Sequence, residues 1–545
     1  MPNPCSAGHL VVRQLERSGV ERVYCVPGES YLDVLDGLYD SPIDTVVCRH
    51  EGGAGFMAVA EGRLTGRPGV AMVTRGPGAA NAAIAVHTAW QDATPMVLFA
   101  GLIPAGQRYR ESFQEFDPNA WFGSTAKRVL VLDDPAAAAG IVAEAMQIAV
   151  TGRPGPVVVG LPETTLTEPT DGVTLPPRAP ARPSPSPADL DAVAALLAVA
   201  KAPVAVAGGD GWTEQAARDL AEWAEAAALP VLTDFRAYDA IDHDSPCYAG
   251  SLGYGRSASA AAVLRDSDLQ LWLGCPRGDV PTDSYTIGTD AASVHIGPDP
   301  AAHGHTGRLD ATVVATPAAF VAAARDVLVR PGADPAPMRT AHEAHRAWSR
   351  PAPDGDQGVD LGAAFGLLRR NLETDPIVTF GAGNHAIWPQ RYLPAHRPGS
   401  LLAPRNGAMG FGVPAAVAAA LVRPDRRVLS VAGDGCFMMN GQELAVAVER
   451  RLPVLVLIVD NGCYATIRAH QEAHYPGRPS GTGLSNPDFA ELARAYGAFG
   501  ATVTHTGEFE VALRKALDAP GPAVLHLRTD PTTRGPLSRP EGALR

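Results

Sequence analysis

The sequence predicts an α/β protein made of three doubly wound domains, each with a parallel sheet. Short apolar runs alternate with alanine-rich stretches along the chain, and this alternation is typical of repeated strand–helix–strand units. Several runs are apolar at every position, as expected of strands buried on both faces of a parallel sheet. The clearest predicted strands are, in chain order, Val70–Thr74, Pro95–Phe99, Pro156–Val159, Pro203–Ala207, Leu269–Gly274, Pro376–Thr379, Val428–Ala432 and Val454–Asp460.

Two proline-rich stretches divide the 545 residues into three blocks. A chain of this length exceeds what one hydrophobic core supports, so several domains are expected. Residues 168–187 have many prolines and few large apolar residues, which predicts an extended linker, and residues 330–358 are a second, less regular candidate. The predicted domains therefore span residues 1–167, 188–329 and 359–530, each of ordinary domain size.

Charge and composition exclude several classes of protein. The formal net charge of −13 provides no basic surface for nucleic acid or an anionic membrane. The N-terminus has no basic stretch followed by an apolar core, and no apolar run reaches the length of about 18 residues that spans a membrane. The seven cysteines are scattered and form no C-x-x-C pair, which favours reduced thiols in a cytoplasmic protein.

Polar residues follow two predicted strands of the third block. The strand at 428–432 leads into a Gly-Asp-Gly turn (433–435), and the strand at 454–459 ends in an Asp-Asn pair. Ligands of an open parallel sheet bind at the carboxyl ends of its strands, and glycine lets backbone N–H groups approach a phosphate. Asp434 and the side-chain oxygen of Asn461 are the hard ligands that Mg²⁺ prefers. An isolated Gly-Asp-Gly is a common turn, but this arrangement predicts a site for Mg²⁺ and a diphosphate.

The segment resembles the diphosphate-binding motif of thiamine diphosphate (ThDP)-dependent enzymes, in which Gly-Asp-Gly is followed, after a helix and a strand, by Asn-Asn. Here Asp460 replaces the first asparagine. The resemblance implies that Mg²⁺ is bound by Asp434, Asn461 and the backbone carbonyl of Cys463. The resemblance also assigns the two glycines on either side of Asp434, Gly433 and Gly435, as cofactor contacts.

Two further segments resemble the same family. Residues 406–412 are similar to the segment before Gly-Asp-Gly in the acetolactate synthase group. The resemblance implies that the Gly407 carbonyl accepts a hydrogen bond from the aminopyrimidine and that Met409 supports the bent cofactor, although methionine more commonly packs in a core. Residues 381–385 resemble a loop that touches the diphosphate. The cofactor contacts assigned there are Gly383, Asn384 and His385.

Residues 49–58 of the first block resemble the catalytic glutamate motif of the family. Considered alone, Glu51 is a typical helix-start residue that the helix dipole stabilises. The resemblance implies that Glu51 hydrogen-bonds the aminopyrimidine and promotes proton removal from C2 of the thiazolium. In this family the glutamate of one subunit faces the cofactor of another, so a homodimer or homotetramer with interfacial sites is implied. The implied domain order is pyrimidine-binding, central Rossmann-like and diphosphate-binding.

Resemblance to acetolactate synthases assigns further residues to the active site. Gln114 and Lys127 match a glutamine and a lysine that approach the active site there, although a lysine is commonly a surface cation. Arg75 replaces a small polar residue of the family's Thr-Ser-Gly-Pro-Gly loop. Thr466 and His470 stand where biosynthetic acetolactate synthases usually place Met and Trp, which indicates an altered acceptor pocket. The residues assigned to the substrate pocket are Ser30, Arg75, Thr466 and His470.

The middle block contains a strand and a glycine-rich turn at residues 204–211. This is a weak dinucleotide signal, because the G-x-G-x-x-G spacing is missing. In acetolactate synthases the corresponding domain binds FAD, whereas some relatives lack the flavin or bind ADP, so the resemblance leaves FAD binding open. Arg277 resembles a position near that nucleotide, but an ordinary turn arginine explains it equally well.

Together these motifs predict a ThDP- and Mg²⁺-dependent enzyme. The leading interpretation is an acetolactate synthase-like carboligase, which decarboxylates a small 2-oxo acid and adds the resulting enamine to a carbonyl acceptor. A close second is a decarboxylase or C–C lyase of the same family, in which a proton replaces the acceptor. Two weaker interpretations are a non-catalytic binding protein and a nicotinamide oxidoreductase. Intact Glu51, Asp434 and Asn461 argue against the binding protein.

Overall fold

The computed structural model describes residues 5–209, 211–301, 309–353, 358–372 and 375–530. Across these residues no helix is both long and apolar enough to cross a membrane. The chain packs as two compact units, which are described separately. Unit 1 comprises the chain through Ala181, Pro404–Pro424 and Met438–Leu452. Unit 2 comprises Arg182–Ala403, Asp425–Phe437 and the chain from Pro453 onward.

The strands of the described residues are β1 Cys5–Ser6, β2 Arg22–Cys25, β3 Asp44–Val47, β4 Gly69–Val73, β5 Met96–Leu102, β6 Arg128–Val131, β7 Pro156–Pro162, β8 Pro169–Thr170, β9 Pro203–Ala207, β10 Val231–Thr233, β11 Tyr248–Ser251, β12 Leu269–Leu273, β13 Ala292–Gly297, β14 Ala311–Val314, β15 Ile377–Phe380, β16 Leu401–Leu402, β17 Val428–Gly433, β18 Val454–Asp460, β19 Phe499–Val503 and β20 Ala523–Arg528.

The α-helices of the same residues are α1 Ala7–Arg17, α2 Leu32–Tyr39, α3 Glu51–Thr65, α4 Gly76–Asp92, α5 Pro118–Phe122, α6 Ala138–Val150, α7 Glu163–Thr167, α8 Pro187–Val199, α9 Glu214–Ala226, α10 Ala258–Arg265, α11 Pro317–Val327, α12 Ala336–Trp348, α13 Leu361–Asn371, α14 Ile387–Tyr392, α15 Gly412–Val422, α16 Asp434–Asn440, α17 Leu444–Glu449, α18 Ala465–His474, α19 Phe489–Tyr496 and α20 Thr506–Leu517.

Three parallel sheets organise the described chain and confirm the predicted fold class. The strand order is β3-β2-β4-β5-β7-β6 in the first sheet, β11-β10-β9-β12-β13-β14 in the second and β16-β15-β17-β18-β20-β19 in the third. Every pair of neighbours within these sheets is parallel. The first sheet lies in unit 1, and the second and third lie in unit 2.

The second sheet shows why its strands are apolar at every position. Alternate side chains of a strand point to opposite faces, so a strand covered on both faces needs apolar residues throughout. In β9, Ala205 and Ala207 pack into the cluster that contains Trp223. Val204 and Val206 pack on the other face, in a second cluster.

The two predicted linkers have different structures. In residues 168–187, β8 pairs antiparallel with β1, and no helix or strand follows until α8 begins at Pro187. Residues 330–358 contain helix α12, so the described part of this stretch is not simply an extended linker; residues 354–357 lie outside the described residues. The helix forms because Met338, Ala341 and His345 recur on one face and are buried. The domain boundaries themselves stay a prediction.

The cysteines are all unpaired. Each of the seven is free, and all but the half-buried Cys5 are buried. No disulfide therefore stabilises either unit.

Candidate active site

The carboxyl edge of the third sheet collects the acidic residues assigned to the metal site. The parallel register of β17 and β18 pairs Gly433 with Val459, so the next residues lie at the same edge: Asp434 directly follows β17, and Asp460 is the last residue of β18. Both are buried, with 3% and 2% of their surface exposed. Asn461 follows at the same edge.

Four donors occupy the carboxylate of Asp460. Its Oδ1 accepts hydrogen bonds from Gly462 N at 3.0 Å and Asn486 Nδ2 at 2.8 Å. Its Oδ2 accepts from His526 Nε2 at 2.8 Å and from an Arg528 Nη at 2.9 Å. Burial opposes ionisation, but the hydrogen bonds from His526 and Asn486 lower the pKa of Asp460 to about 2. Because a carboxylate offers about four acceptor positions, Asp460 has none left for a metal ion.

Asp434 retains acceptor capacity that Asp460 lacks. Its Oδ1 accepts from Gly435 N at 2.9 Å, and its Oδ2 accepts from Asn486 Nδ2 at 2.8 Å. Each oxygen therefore keeps one lone pair. Burial, with a further contribution from the Asp460 carboxylate, raises the pKa of Asp434. A bound cation would favour the charged form of this carboxylate, so Asp434 fits a metal ligand.

The turn after Asp460 supplies further oxygen atoms. Asn461 Oδ1 accepts a hydrogen bond from Cys463 N at 3.2 Å, and the Cys463 carbonyl accepts one from Ala465 N at 2.9 Å. A carbonyl oxygen has two lone pairs, so the Cys463 carbonyl can still accept a metal ion. Asn461 Oδ1 also accepts a weak hydrogen bond from Cys463 Sγ at 3.6 Å, which a metal ion would replace. A carboxylate, an amide oxygen and a backbone carbonyl form the hard donor set that Mg²⁺ prefers, and the predicted ligands therefore fit the ion.

The turns assigned to the diphosphate enclose the ring of His385. A Cβ at Gly383 or at Gly433 would lie 2.8 Å from His385 Nδ1, so both positions require glycine. Burial, followed by the nearby charge of Arg236, lowers the pKa of His385 to about 3, so its ring is neutral. Its Nε2 is buried and has no hydrogen-bond partner within the described residues. In the tautomer protonated at Nε2, this atom is a buried donor without a described partner, which fits a contact with a phosphate oxygen.

The loop after β18 contacts both of these turns. The ring of Tyr464 packs on Gly435, where a Cβ would lie 2.4 Å from its Cε1. Thr466 Oγ1 donates a hydrogen bond to Asn384 Oδ1 at 2.8 Å. Thr466, assigned to the substrate pocket, is therefore next to a residue assigned to the cofactor. His470 is exposed on the following turn of α18.

Glu51, in unit 1, is the first residue of α3. Its Oε2 accepts a hydrogen bond from Asn81 Nδ2 at 2.9 Å, and a Cβ at Gly78 would lie 3.4 Å from its Oε1. The helix start is capped by His50, whose Nδ1 accepts from Gly52 N at 3.0 Å. The half-buried carboxylate of Glu51 therefore lies beside the first turns of α4.

Arg75 is buried in an ion-pair cluster that includes Gln114. Only 6% of Arg75 is exposed. Its terminal nitrogens bind Glu29 Oε1 at 3.0 Å and Glu163 Oε2 at 2.8 Å, and one of them donates to Gln114 Oε1 at 3.4 Å. The Gln114 carbonyl accepts from Gly76 N at 3.2 Å. Gln114 is thus joined to the start of α4 by both its backbone and its side chain.

Gln114 and Ser30 have different surroundings within unit 1. Gln114 adopts a φ of +63°, which is uncommon for a residue with a side chain and recurs at functional sites. It borders a cavity of about 600 Å³ on the loop after β5, together with Tyr109, Ser112 and two glutamates. Ser30 is fully buried, and its Oγ lies 3.0 Å from Thr74 Oγ1.

Lys127 binds backbone carbonyls at the end of a helix of unit 1. Its Nζ donates to Ile148 O at 2.6 Å and also to Thr151 O, at the carboxyl end of α6. A cation at a helix C-terminus satisfies carbonyl groups that lack partners within the helix. These contacts account for Lys127 as a helix-capping residue, and its catalytic assignment stays a prediction.

The segment assigned to the pyrimidine is a turn in unit 1. Gly407 is exposed with a φ of +70°, a conformation that favours glycine, and Met409 is half-buried. Asn406 fixes the turn, because its Oδ1 accepts from Ala408 N at 3.1 Å and its Nδ2 donates to Thr88 Oγ1 at 2.9 Å.

The glycine-rich turn of the second sheet packs closely on its own neighbours. A Cβ at Gly209 would lie 2.1 Å from the Gly274 carbonyl oxygen, so the glycine is needed for packing. Asp210 of this turn lies outside the described residues. Arg277 is buried and donates to the Gly288 carbonyl at 2.8 Å, which supports the turn-arginine interpretation.

Sequence reasoning did not assign Asn486, His526 or Arg528, which surround Asp460. One signal was present: His526 interrupts the apolar residues 523–527 of β20. Its partner could not be identified, because only the sheet order places β20 beside β18.

Three family models match the chain in order. The N-terminal TPP binding domain of thiamine pyrophosphate enzymes matches residues 5–121, the central domain of these enzymes matches 190–324, and their C-terminal TPP binding domain matches 381–527. The chain therefore belongs to the thiamine pyrophosphate (ThDP) enzyme family, and ThDP is the cofactor that the matched domains indicate.

Within this family the chain is similar to acetolactate synthase large subunits. It is 30% identical over 535 residues to the acetolactate synthase isozyme 2 large subunit of Escherichia coli (strain K12), with 95% of each chain covered. It is 31% identical to the acetolactate synthase large subunit of Corynebacterium glutamicum, over 94% of this chain and 85% of that one. The corresponding subunit of Parasynechococcus marenigrum is 32% identical, over 97% and 88%. These relatives indicate that the chain is an acetolactate synthase-like enzyme.

Proposed function

We propose that the protein decarboxylates a small 2-oxo acid and joins the remaining acyl unit to a carbonyl acceptor, with ThDP and Mg²⁺. The observation that carries this proposal is the pair of unlike carboxylates at the edge of the third sheet. Asp460 accepts four hydrogen bonds, whereas the buried Asp434 accepts one at each oxygen. Asn461 and Cys463 follow Asp460 at the same edge of the sheet. The similarity to acetolactate synthases favours carboligation as the outcome.

The proposed roles divide between binding and proton transfer. Asp434, Asn461 and the Cys463 carbonyl would hold Mg²⁺, and the neutral ring of His385 would donate to the diphosphate. The other groups assigned to holding the cofactor are Gly383, Asn384, Gly433, Gly435, the Gly407 carbonyl and Met409. Bound ThDP supplies a nucleophilic carbon and accepts the electron pair left by departing CO₂. Glu51 would hold the proton at the aminopyrimidine ring nitrogen.

The acceptor distinguishes a carboligase from a decarboxylase or lyase. In a carboligase the acyl unit bonds to a second carbonyl, whereas in a decarboxylase or lyase it takes up a proton. Gln114, Thr466 and His470 are proposed to face the substrates. We further propose that the chain acts as a homodimer or homotetramer, with Glu51 of one copy serving the cofactor held by another.

A screen of 2-oxo acid donors and carbonyl acceptors, followed by mass spectrometry, tests the reaction. With pyruvate, acetolactate or acetoin is the expected product. Free acetaldehyde as the sole product would favour the decarboxylase. Absence of ThDP-dependent CO₂ release across a broad panel of 2-oxo acids would favour a non-catalytic binding protein.

The role of Glu51 is tested by Glu51→Gln. We expect the variant to bind ThDP but to slow hydrogen–deuterium exchange at C2 of the cofactor by on the order of 10²–10⁴-fold, because general base assistance is lost. Proton NMR of quenched samples measures the exchange. Glu144→Gln, which changes an exposed glutamate of α6, is the control and should exchange at the wild-type rate. An unchanged rate in Glu51→Gln would contradict the assigned role.

A further inference from the structure

Asn486 joins the two acidic residues at the edge of the third sheet. Its Nδ2 lies 2.8 Å from Asp434 Oδ2 and 2.8 Å from Asp460 Oδ1. An amide NH₂ group carries two hydrogens, so it can donate to both carboxylates at once. Asp434 and Asp460 are therefore held by one neutral donor at a point where their negative charges would otherwise repel.

The backbone around Asn486 is itself fixed. Two residues later, Asp488 caps α19: its Oδ1 accepts from Ala490 N at 2.8 Å and from Glu491 N at 3.1 Å. Upstream, Leu484 N donates to the Gly462 carbonyl at 2.8 Å, in the turn that follows β18. The side chain of Asn486 thus extends from a loop anchored on both sides toward the buried carboxylates.

The far side of Asp460 is anchored by the next strand. The register of β18 and β20 pairs Asp460 with Arg528 and Ile458 with His526. Both polar side chains bind Asp460 Oδ2, at 2.9 Å and 2.8 Å. Asp460 is consequently held on both sides, and Asn486 connects it to Asp434.

We propose that Asn486 is a positioning residue for the metal site, and that it holds the carboxylate of Asp434 in a ligating orientation by bridging it to the immobilised Asp460. This inference rests on the proposed Mg²⁺ site. In this arrangement Asp460, which replaces the family's first asparagine, anchors the bridge and does not bind the metal. Leucine branches at Cγ as asparagine does but has no donor, and aspartate would add a third acceptor.

Metal affinity of the full chain tests the proposal without any substrate. Mn²⁺, which accepts oxygen ligands as Mg²⁺ does, is titrated in the presence of ThDP, and free Mn²⁺ is followed by its electron paramagnetic resonance signal. Asn486→Leu is expected to weaken Mn²⁺ binding by about 10–100-fold, as loss of a residue behind a metal ligand typically does. Asn486→Ser, which keeps one donor, should fall between this variant and the wild type.

Two controls separate positioning from a general effect on folding. Asn371→Ala removes an exposed amide that donates to the Leu367 carbonyl at the end of α13 and should bind Mn²⁺ as the wild type does. Combining Asn486→Leu with Asp460→Ala should weaken binding by less than the product of the two separate effects, because each change alone breaks the same bridge.

The outcomes are distinguishable. Wild-type Mn²⁺ affinity in Asn486→Leu and Asn486→Ser would overturn the positioning role while leaving the proposed function standing. A loss of affinity that follows only the loss of thermal stability of the metal-free variants would also overturn it, because that result indicates a structural role. A wild-type chain that takes up neither ThDP nor Mn²⁺ would overturn the proposed function itself.

Discussion

Arg75 stands where the family has a small polar residue, and its charge is paired within the chain. Glu29 and Glu163 bind its terminal nitrogens, and the side chain is buried. A guanidinium in this state is a poor receptor for a substrate carboxylate, because two carboxylates already neutralise it. Its third contact is with Gln114 Oε1. The oxygen of the Gln114 amide therefore faces Arg75, and the NH₂ group does not. We therefore expect Arg75 to fix the orientation of Gln114.

Replacing Arg75 with methionine tests this expectation at the scale of one residue. Arg75→Met should lower the free energy of unfolding by about 1–3 kcal/mol, because hydrogen bonds to a charged and buried group are lost. The Gly76 amide, which donates to the Gln114 carbonyl, should also exchange its hydrogen faster. Urea unfolding and hydrogen exchange measure the two effects. Arg67→Met removes an exposed pair with Glu21 and should change stability by less than about 1 kcal/mol. An unchanged Gly76 exchange rate would show that Gln114 is held by other contacts.

At the scale of the element, the start of helix α3 packs against a buried carboxyl group that comes from a distant part of the sequence. Glu443 is fully buried, and both of its oxygens accept from Arg49 N, at 3.1 Å and 3.2 Å. A Cβ at Gly53 would lie 2.5 Å from Glu443 Oε1, so the glycine of the helix start admits this carboxyl. The orientation of Glu51 at the first position of α3 therefore depends on Glu443.

The pKa of Glu443 gives a pH-dependent prediction. Burial raises this pKa from an ordinary 4.5 to about 7, so folding favours the protonated form. The stability that the protonated Glu443 contributes is fully present below pH 4.5 and is lost as the pH rises toward 7. Glu443→Gln keeps an oxygen acceptor but cannot ionise, so it should gain up to about 3 kcal/mol over the wild type at pH 8 and little at pH 4.5.

Urea unfolding at the two pH values measures this difference. Glu449→Gln is the matched control, because Glu449 binds the side chain of the same Arg49 on the surface. It should change stability little at either pH. A gain for Glu443→Gln that is equal at both pH values would contradict the raised pKa.

At the scale of the whole molecule, α12 attaches to the second sheet through buried aromatic and imidazole rings. The ring of His345 lies 4.7 Å from that of Tyr248, which in turn stacks on His243 at 4.2 Å. His342 Nδ1 lies 3.0 Å from the Tyr248 carbonyl. Burial, and then the charge of His342, lowers the pKa of His345 to about 4. The neutral ring is therefore the form that folding favours.

Acid should loosen unit 2 through this cluster. Because the folded pKa of His345 lies below its ordinary 6.5, the stability it contributes is complete above pH 6.5 and is lost as the pH falls toward 4. The stability lost through the pKa shift of His345 is about 3 kcal/mol. His345→Phe, which cannot be protonated, should show a smaller decrease in thermal stability between pH 6.5 and pH 4. His474→Gln, which changes an exposed histidine of α18, should decrease as the wild type does. Equal decreases in all three proteins would refute the assignment.

The elements of the fold were largely readable from local patterns. The predicted strand Pro203–Ala207 matches β9, and Val454–Asp460 matches β18. Helix α16, which begins directly at Asp434 within the Gly-Asp-Gly turn, was not predicted. Helix α12 was missed inside a predicted linker, since the flanking prolines and glycines concealed a short apolar face. Of the candidate site, only the residues within sequence motifs could be predicted. The contacts of Lys127 with the end of α6 could not, because no local sequence pattern indicates them.

The sequence by itself determined that Asp434 follows one strand and that Asp460-Asn461 stands at the end of another, because strand periodicity and turn residues are properties of adjacent positions. Only the tertiary structure decided what surrounds them. His526 and Arg528 reach Asp460 because β20 lies beside β18, and Asn486 reaches it from a loop. The physical reason is that periodicity is a property of neighbours along the chain, whereas the partner of a buried charge is set by strand order, which many sequence patterns permit equally.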